Sequence, residues 1–566
     1  MESPEAIARE SVDDTEARTA SRVAFDWAPA AVAAIFSAFG FLWLDEHGVA
    51  LSRDSTHYLG VAVDLHFDGF SLPGEPAYPV GYPLLVAQVM RLEPFAADAA
   101  RWLSWISYVV LLSCGVASFR RVAGPVVSAL AVALLATMPA IVVQHDYALA
   151  GAPFGALIQL HVLLTVMHAR ARGRARWGWL VAAALVLGVA TVVRVIGYAA
   201  ITVFSAFVLW QVILARHRLR EVGALLAAHS FCYLPALSIA IGYSVIGRPV
   251  HGYRGGSHEP LGLNVERAIA ALGNDLGAVL LVPVALAAAW LVWRVARESV
   301  EDERATATFS VAYSLVQCGV YLTAIVVAAT VTKVSPVGSR FFAPYYGVAL
   351  IAVIGAVGLA PARLRGLASV LLSLILGASV VSNRAAIAAA HTSRAEAAQG
   401  APLHFQHGFA ASPNTRPLRE FLGRLAGSDD VSSLSILSPL PRRGHHVEGA
   451  RSLLFVRSAV ASPVEAIRFR RLGPASWRVQ LGAAREQGGL VYLGLDLDSE
   501  AEITPESTLA AALRAMVAGR RGSHWLLVPA HVDPLRRVGA IEGAPLRIEE
   551  RRELGAYRAY RLGIAR

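Results

Sequence analysis

The chain has 566 residues, of which 55% are hydrophobic and only 16% are charged. An average soluble domain is about 45–50% apolar and about 25% charged, so a solvated surface cannot cover this much apolar side chain. The composition excludes a disordered chain, a fibrous chain and an ordinary soluble enzyme, and it indicates a polytopic membrane protein. We attribute the net charge of +10 to the arginines of membrane loops rather than to nucleic-acid binding.

Residues 1–28 are polar, of mixed charge and without the apolar core of a signal peptide, which predicts a cytoplasmic tail. Apolar runs of about 20 residues follow, and that length crosses a hydrocarbon core of ~30 Å. The eleven predicted spans are 29–45, 102–118, 124–143, 148–168, 177–193, 195–214, 222–246, 277–296, 308–332, 342–360 and 365–382. No comparable run follows residue 390.

Arginines in the short loops set the expected orientation. With a cytoplasmic N-terminus, five inner loops carry fourteen arginines: Arg120, Arg121, Arg170, Arg172, Arg174, Arg176, Arg216, Arg218, Arg220, Arg294, Arg297, Arg304, Arg363 and Arg365. This distribution follows the positive-inside rule. It requires residues 177–214 to form a hairpin that turns near Arg194, because a single span would put the next basic loop outside. Eleven spans then leave the C-terminus outside the cytoplasm.

The region 390–566 predicts a small extracytoplasmic soluble α/β domain. Short alternating apolar segments such as SLSILS and HWLLVPA are typical of strands, and helix-like stretches such as TRPLREFLGRLAG lie between them. The expected fold class is therefore a polytopic α-helical membrane protein with about eleven transmembrane helices and a small C-terminal α/β domain.

The predicted outer loop 46–101 is longer than a connection needs to be, so we expect it to form part of a cavity. Asp54 directly follows the first span, and the residues after it have the spacing of an amphipathic surface helix. Pro83 is suited to open a second such helix. A carboxylate at this place suits a general base, although aspartate is also a favoured helix N-cap.

Three motifs on the predicted outer side resemble the GT-C superfamily of integral-membrane glycosyltransferases. The first is Asp54 followed by the segment YPVGYPLL (78–85), in which Val80 stands where the family usually has a second proline. The second is RVIGY (194–198) and the third is RFFAPYY (340–346). The nearest groups are the protein O-mannosyltransferases and the lipid A aminoarabinose transferases.

The resemblance implies that residues 29–385 form a catalytic domain that moves a sugar from a polyprenyl-phosphate donor to an acceptor hydroxyl. It implies that Asp54 is the base and that Asp146 positions the acceptor, whereas a solvated loop acid is the plainer interpretation of Asp146. The leaving phosphate needs cations, and Arg194, Lys333 and Arg340 lie on the outer side, against the positive-inside trend. The alternative to phosphate binding is that these side chains snorkel, which means that each charged group extends to water and lipid headgroups.

The polar, glycine-rich loop 251–260 is either a cover for bound substrate or a plain connection. The residues predicted to line a substrate cavity are His57, Tyr58, Tyr82, Tyr253 and Arg254. The sequence shows no diagnostic metal-ligand spacing, so no metal ligand is predicted, although His145 beside Asp146 leaves a divalent ion open.

The expected partners are a polyprenyl-phosphate-linked sugar, an acceptor glycan, lipid or protein, and membrane lipids, and no nucleic acid is expected. Three other functions remain open: a polysaccharide polymerase or ligase, a flippase or transporter of a lipid-linked glycan, and a structural role in which the C-terminal region binds partners. The sequence lacks a P-loop, a dinucleotide-binding glycine motif, GxSxG and CxxC, which argues against the corresponding enzyme classes.

Overall fold

The protein is described by a computed structural model, which covers the helical region with gaps and part of the C-terminal region. The described residues are 26–45, 49–51, 53–67, 79–93, 96–215, 218–245, 260–276, 302–331, 339–358, 362–398, 409–410, 417, 420–421, 424, 431–439, 478–480, 491–495, 523–529, 546–554 and 557–564.

Helices dominate the described part of the chain up to residue 398. They are α1 (Asp26–Asp45), α2 (Arg53–Phe67), α3 (Gly81–Val89), α4 (Ala96–Phe119), α5 (Pro125–Thr137), α6 (Pro139–Asp146), α7 (Gly151–Arg170), α8 (Arg174–Val193), α9 (Tyr198–Leu214), α10 (Leu219–Ser230), α11 (Leu234–Val245), α12 (Leu261–Leu276), α13 (Asp302–Val331), α14 (Ser339–Phe342), α15 (Tyr346–Gly358) and α16 (Ala362–Ala398).

The multi-pass architecture is confirmed. Among the described residues, seven helices are long and apolar enough to cross a membrane, and two bent helix pairs raise the number to nine. With the shorter apolar helix α15 they coincide with ten of the predicted spans. The remaining predicted span, 277–296, lies outside the described residues.

Two predicted spans are bent rather than continuous. The run 124–143 is divided into α5 and α6, which meet at 52°, and the run 222–246 into α10 and α11, which meet at 49°. The first break is at Met138, whose backbone is extended because Pro139 follows it. The second break is a turn that precedes Pro235, which has no N–H to donate to a helical ladder.

The hairpin expected near Arg194 is present in the structure. Helix α8 ends at Val193, Arg194 has an extended backbone, and a 3-10 turn over Val195–Gly197 leads into α9. A Cβ atom on Gly197 would lie 2.9 Å from the Cα atom of Thr191, so a glycine allows the chain to turn back this tightly.

Helix α7 is the centre of the bundle. It packs against α4, α8, α13 and α15, and 72% of its most apolar window is buried, as expected for a helix that is apolar on all sides. One of its buried polar side chains, His161, is satisfied: Nδ1 donates to the Ala183 carbonyl at 2.9 Å, and Nε2 accepts from the Tyr313 hydroxyl at 2.8 Å.

A short two-stranded pairing connects the first loop with the chain that follows α16. Strand β1 (Ala50–Leu51) runs antiparallel to β2 (Phe409–Ala410), with Ala50 opposite Ala410. Strand β2 therefore lies at the same end of the bundle as the end of α1, next to the start of α2.

The described strands of the C-terminal region form one mixed sheet. They are β3 (Val431–Pro439), β4 (Arg478–Gln480), β5 (Val491–Leu495), β6 (Ser523–Pro529), β7 (Leu546–Leu554) and β8 (Tyr557–Ile564), in the order β4-β5-β3-β6-β8-β7. Strand β3 is parallel to β5 and β6, and the other pairs are antiparallel. The segments SLSILS and HWLLVPA lie mainly on β3 and β6, where strands were predicted. A separate extracytoplasmic domain over 390–566 stays a prediction.

Candidate functional site

The three motifs come together at one end of the bundle. Helices α1, α6 and α8 end there, and helices α2, α7, α9 and α15 begin there. Arg194 makes the contact that connects the second motif with the third.

Arg194 is half-buried, and two aromatic rings hold its guanidinium group. Its Cζ atom lies 5.6 Å from the ring centre of Phe154 on α7 and 5.7 Å from that of Phe341 on α14. Both distances are within the range of cation–π attraction. Within the described part of the chain, no carboxylate forms an ion pair with Arg194. Its charge is thus positioned by neutral rings.

The turn that carries Phe341 is fixed from two sides. The Tyr321 hydroxyl on α13 donates to the Phe341 carbonyl at 2.7 Å, and the Tyr321 ring stacks on Tyr345 with centroids 3.8 Å apart. On the other side, Pro344 packs against Gly155, where an added Cβ would lie 3.1 Å from the Pro344 Cα atom. The segment 340–346 and Arg194 therefore lie side by side, and the start of α7 packs against both.

The predicted outer loop that contains Asp54 lies at the same end of the bundle, where its helices α2 and α3 pack. The ring of Tyr58 on α2 packs edge-to-face on Tyr82 of α3, with centroids 5.2 Å apart. Helix α3 then contacts α8 so closely that a Cβ atom on Gly81 would lie 2.5 Å from the Val192 carbonyl. The first motif is therefore fixed to backbone that lies two residues before Arg194.

Asp54 is half-buried and lies in the first turn of α2, which begins at Arg53. A carboxylate there interacts favourably with the positive end of the helix dipole. Asp54 therefore lies one residue inside the helix and is not its N-cap, as the alternative interpretation had it, although its charge still stabilises the start of α2. It also places an acid at the site end of the bundle.

Tyr58 and Tyr82 are packed into the core between α2 and α3. Tyr82 is fully buried and Tyr58 is 8% exposed. The Tyr82 hydroxyl has no hydrogen-bond partner among the described residues. Both tyrosines hold the two loop helices together at the site.

Asp146 is the last residue of α6, and the structure buries it. Its Oδ1 atom accepts a hydrogen bond of 2.9 Å from the Trp43 indole N–H on α1. The alternative of a solvated loop acid does not describe this carboxylate, because an indole donor and packed helices surround it.

Beside Asp146 lies a cavity of about 70 Å³ between α1 and α4–α6. Its walls are mostly apolar, and the polar groups near it come from α4, α5 and α6. The lining residues are Phe36, Phe39, Gly40, Trp43, Leu44, Tyr108, Ala136, Thr137, Val142, His145 and Asp146.

The other predicted site residues are only partly described or not described. His57 lies on α2 and Arg340 on α14, and the side chains of both fall outside the described part of the structure. Lys333, Tyr253 and Arg254 lie outside the described residues altogether. Among the residues that are described, no group of three His, Cys, Asp or Glu side chains is placed to hold a metal ion.

The sequence reasoning missed Phe154, Tyr321 and Trp43. Trp43 lies at the end of the first span, where an interfacial tryptophan is common, so its position was a usable signal. No sequence signal indicated Phe154 or Tyr321, because their roles depend on how α7 and α13 pack against residues distant in the sequence.

No family model matches the sequence, and no curated protein matches it. Among solved structures, the chain is similar to ArnT from Cupriavidus metallidurans bound to undecaprenyl phosphate, with 13% identity, a TM-score of 0.49, and 94% of this chain and 97% of that chain covered. It is also similar to the oligosaccharyltransferase AglB from Archaeoglobus fulgidus in complex with an inhibitory peptide and a dolichol-phosphate, with 10% identity, a TM-score of 0.43, and coverage of 88% and 69%. ArnT, an aminoarabinose transferase, and AglB are membrane glycosyltransferases of the GT-C superfamily, which the sequence motifs resemble.

Proposed function

We propose that the protein transfers a sugar from a polyprenyl-phosphate donor to an acceptor hydroxyl at the outer face of the cytoplasmic membrane. One observation carries the proposal: Arg194 is held between Phe154 and Phe341 with no carboxylate ion pair among the described residues, at the end of the bundle that carries Asp54. A positioned cation without a counter-charge is suited to an anionic ligand.

The charge of the phosphate explains why this cation matters for the reaction. When the bond between sugar and phosphate breaks, the departing oxygen gains negative charge that the bound donor did not have. A guanidinium next to that oxygen stabilises the transition state more than the bound donor, so it raises the rate as well as the affinity. The first turn of α7, which carries Phe154, adds the positive end of a helix dipole.

In the proposed reaction the acceptor oxygen attacks the anomeric carbon of the sugar. A carbon–oxygen bond to the acceptor forms, the bond between the anomeric carbon and the phosphate oxygen breaks, and the acceptor proton passes to the carboxylate of Asp54. Polyprenyl phosphate leaves with the bonding electrons. A general base of this kind typically contributes about 10²–10⁴-fold to the rate.

The remaining site assignments belong to the same proposal. Arg340 and Lys333 assist Arg194 at the phosphate, and Asp146 positions the acceptor. His57, Tyr58, Tyr82, Tyr253 and Arg254 line the substrate cavity in this proposal. The N-terminus is cytoplasmic, and the region 390–566 forms an outer domain that begins beside Asp54, in agreement with the pairing of β1 with β2.

The test uses the full chain in lipid nanodiscs with a panel of radiolabelled polyprenyl-phosphate sugars. The wild-type protein is expected to release polyprenyl phosphate and to form a new glycosidic bond. Asp54→Asn is expected to lower turnover by about 10²–10⁴-fold with little change in thermal stability. Asp45→Asn is the matched control, because Asp45 is an exposed acid at the same end that pairs with Arg101 at 2.8 Å.

Full turnover by the Asp54→Asn variant would remove Asp54 from the mechanism. Vesicles separate transfer from transport: wild-type protein that moves label across the bilayer without forming a new glycosidic bond would be a flippase, and the proposed function would be wrong.

A further inference from the structure

A second half-buried arginine lies in the turn between α4 and α5, at the end of the bundle opposite to Arg194. The guanidinium group of Arg121 donates to the Ala117 carbonyl through Nη1 and to the Met167 sulfur atom through Nη2, the latter at 3.0 Å. Neither acceptor is charged, and a thioether accepts only weakly. These contacts hold the group against α4 and α7 without neutralising its charge.

The charged groups next to Arg121 have the same sign. Arg170 is the last residue of α7, and burial together with this second arginine lowers the pKa of Arg121. Arg172 and Arg174 follow in the turn that leads into α8, and both are exposed, as Arg170 is. The ends of α4 and α7 each contribute about half a negative charge, which is too little to balance four guanidinium groups. This surface therefore attracts anions.

Carboxylates at the same end of the bundle pair with other arginines. Asp26 pairs with Arg120 at 3.4 Å, and Glu221 pairs with Arg176 at 2.8 Å. Within the described ranges, no carboxylate forms an ion pair with Arg121 or with Arg170. The described protein groups therefore leave these two arginines without a counter-charge.

The two arginines lie at the depth of the lipid headgroups. Helix α4 ends two residues before Arg121 and α7 ends at Arg170, and both helices are long and apolar enough to cross a membrane. Tryptophans mark the same level: Trp27 at the start of α1 is 65% exposed, and Trp177 in the first turn of α8 is half-buried. The anion that is concentrated at this depth is the phosphate of an anionic phospholipid.

The surface beside Arg121 has room for a headgroup and an apolar strip for a lipid chain. A Cβ atom on Gly124, three residues further along the turn, would meet no atom within 4 Å. Val126, the second residue of α5, is 48% exposed, as expected of an apolar side chain that faces acyl chains. A phospholipid uses both features, whereas a free phosphate ion uses only the first.

We propose that Arg121 and Arg170 bind the phosphodiester group of an anionic phospholipid, whose acyl chain lies along the first turn of α5 at Val126. The N–H groups of a guanidinium match the oxygens of a phosphate, and the charge strengthens each hydrogen bond. A zwitterionic lipid brings its own ammonium group, which the arginines repel, so the site favours a lipid with net negative charge. This site lies at the opposite end from Arg194 and does not depend on the transfer reaction.

The test titrates the full chain in detergent micelles, with no sugar donor present, and counts bound lipid by native mass spectrometry. Palmitoyl-oleoyl phosphatidylglycerol is expected to bind about tenfold more tightly than the phosphatidylcholine with the same acyl chains. Glycerol phosphate and inorganic phosphate are expected not to displace it, because they lack acyl chains. Equal affinity for phosphatidylcholine would overturn the proposal. Displacement by either free phosphate would identify a soluble anion as the ligand, and the proposed lipid would be wrong.

Matched variants separate a site from the general positive field of this end. Arg121→Gln is expected to raise Kd for phosphatidylglycerol tenfold or more, the loss expected for one charge-assisted contact. Arg220→Gln removes the same charge from the first turn of α10, where Arg220 is exposed, and Kd should stay within about twofold. Arg194→Gln should likewise leave Kd unchanged, which keeps this site separate from the proposed donor site. Equal rises for Arg121→Gln and Arg220→Gln would overturn the proposal.

A second pair of variants keeps Arg121 and changes the charge beside it. Gly124 is the N-cap of α5, with φ −67° and ψ 168°, so aspartate and asparagine both fit there and both favour the start of the helix. Gly124→Asp adds a carboxylate near Arg121 and is expected to raise Kd for phosphatidylglycerol several-fold, whereas Gly124→Asn should leave it within about twofold. Thermal melts identify any variant that fails to fold. Equal Kd values for the folded Gly124→Asp and Gly124→Asn variants would contradict the proposal.

Discussion

The two ends of helix α8 carry arginines in opposite environments. Arg176 in the first turn donates to the Glu221 carboxylate and to the Gln211 side-chain oxygen, both at 2.8 Å. Arg194, just after the last residue of the helix, has two aromatic rings and no carboxylate ion pair among the described residues. The first arginine connects α8 with α9 and α10, whereas the second is the cation that we propose binds the donor phosphate.

The difference suits a structural role for Arg176 and the proposed ligand-binding role for Arg194. Fourteen arginines in the predicted inner loops follow the general charge bias of membrane proteins, and several of them are paired, as Arg120 is with Asp26 at 3.4 Å. An arginine at the opposite end goes against that bias. Aromatic contacts position it without neutralising it, which is what binding of a phosphate requires.

Among the substitutions that test this comparison, the largest effect is expected when the charge of Arg194 is removed. Arg194→Gln should lower kcat/KM for the lipid-linked sugar about 10–100-fold, because a charge-assisted interaction with phosphate contributes about 1.5–3 kcal/mol. Arg176→Gln should leave kcat/KM within about twofold. Steady-state kinetics with both variants in nanodiscs measure this. Equal losses in the two variants would contradict the distinction between the two ends of α8.

The next effect concerns the contact that holds the first loop against α8. Gly81→Ala forces a Cβ atom against the Val192 carbonyl and is expected to cost about 1–3 kcal/mol of stability, with lower activity because the Asp54 loop moves away from Arg194. Gly60→Ala on α2 is the control, since an added Cβ meets nothing within 4 Å and alanine favours a helix. Thermal melts and turnover of both variants are compared. A stable, fully active Gly81→Ala variant would show that this contact does not assemble the site.

A smaller effect is expected at Tyr321. Tyr321→Phe keeps the stacking on Tyr345 but removes the hydrogen bond to the Phe341 carbonyl, worth about 1 kcal/mol. The donor KM should rise about threefold to tenfold with little change in kcat, because Phe341 then holds Arg194 less firmly. Thr323→Val is the control: it removes a hydrogen bond of 2.9 Å within the same helix, away from Phe341. An unchanged KM in the Tyr321→Phe variant would separate Tyr321 from the site.

The smallest effect is expected from Glu221→Gln at the opposite end. It weakens the ion pairs with Arg176 and Arg218, which are partly exposed, so the loss of stability should be about 1 kcal/mol or less. High salt should reduce the difference from the wild-type protein. Donor kinetics should not change. A clear rise in donor KM would mean that the two ends of α8 are coupled.

Much of the helical framework was predictable from the sequence, because a membrane requires apolar runs of a fixed length. The hairpin at Arg194 followed from the loop arginines alone. The bends were not predicted, since apolar composition does not depend on whether a helix is straight, although Pro139 in the middle of a predicted span was a visible signal.

The site was predictable only as a set of motifs. The sequence indicated Arg194 and the segment 340–346 separately, and the structure shows that Phe341 contacts Arg194. The aromatic partner Phe154 and the hydrogen bond from Tyr321 depend on the packing of α7 and α13, which no local pattern encodes. The burial of Asp146 likewise depends on Trp43, 103 positions earlier in the chain.

The most direct measurement is the binding of undecaprenyl phosphate, without a sugar, to the wild-type protein and to the Arg194→Gln and Arg176→Gln variants in nanodiscs. We expect Kd to rise tenfold or more for Arg194→Gln, the loss expected when one charge-assisted contact to phosphate is removed, and to stay within about twofold for Arg176→Gln. Undecaprenol, which lacks the phosphate, should not distinguish the wild-type protein from Arg194→Gln. Equal affinity of the wild-type protein and Arg194→Gln for undecaprenyl phosphate would contradict the proposed role of Arg194.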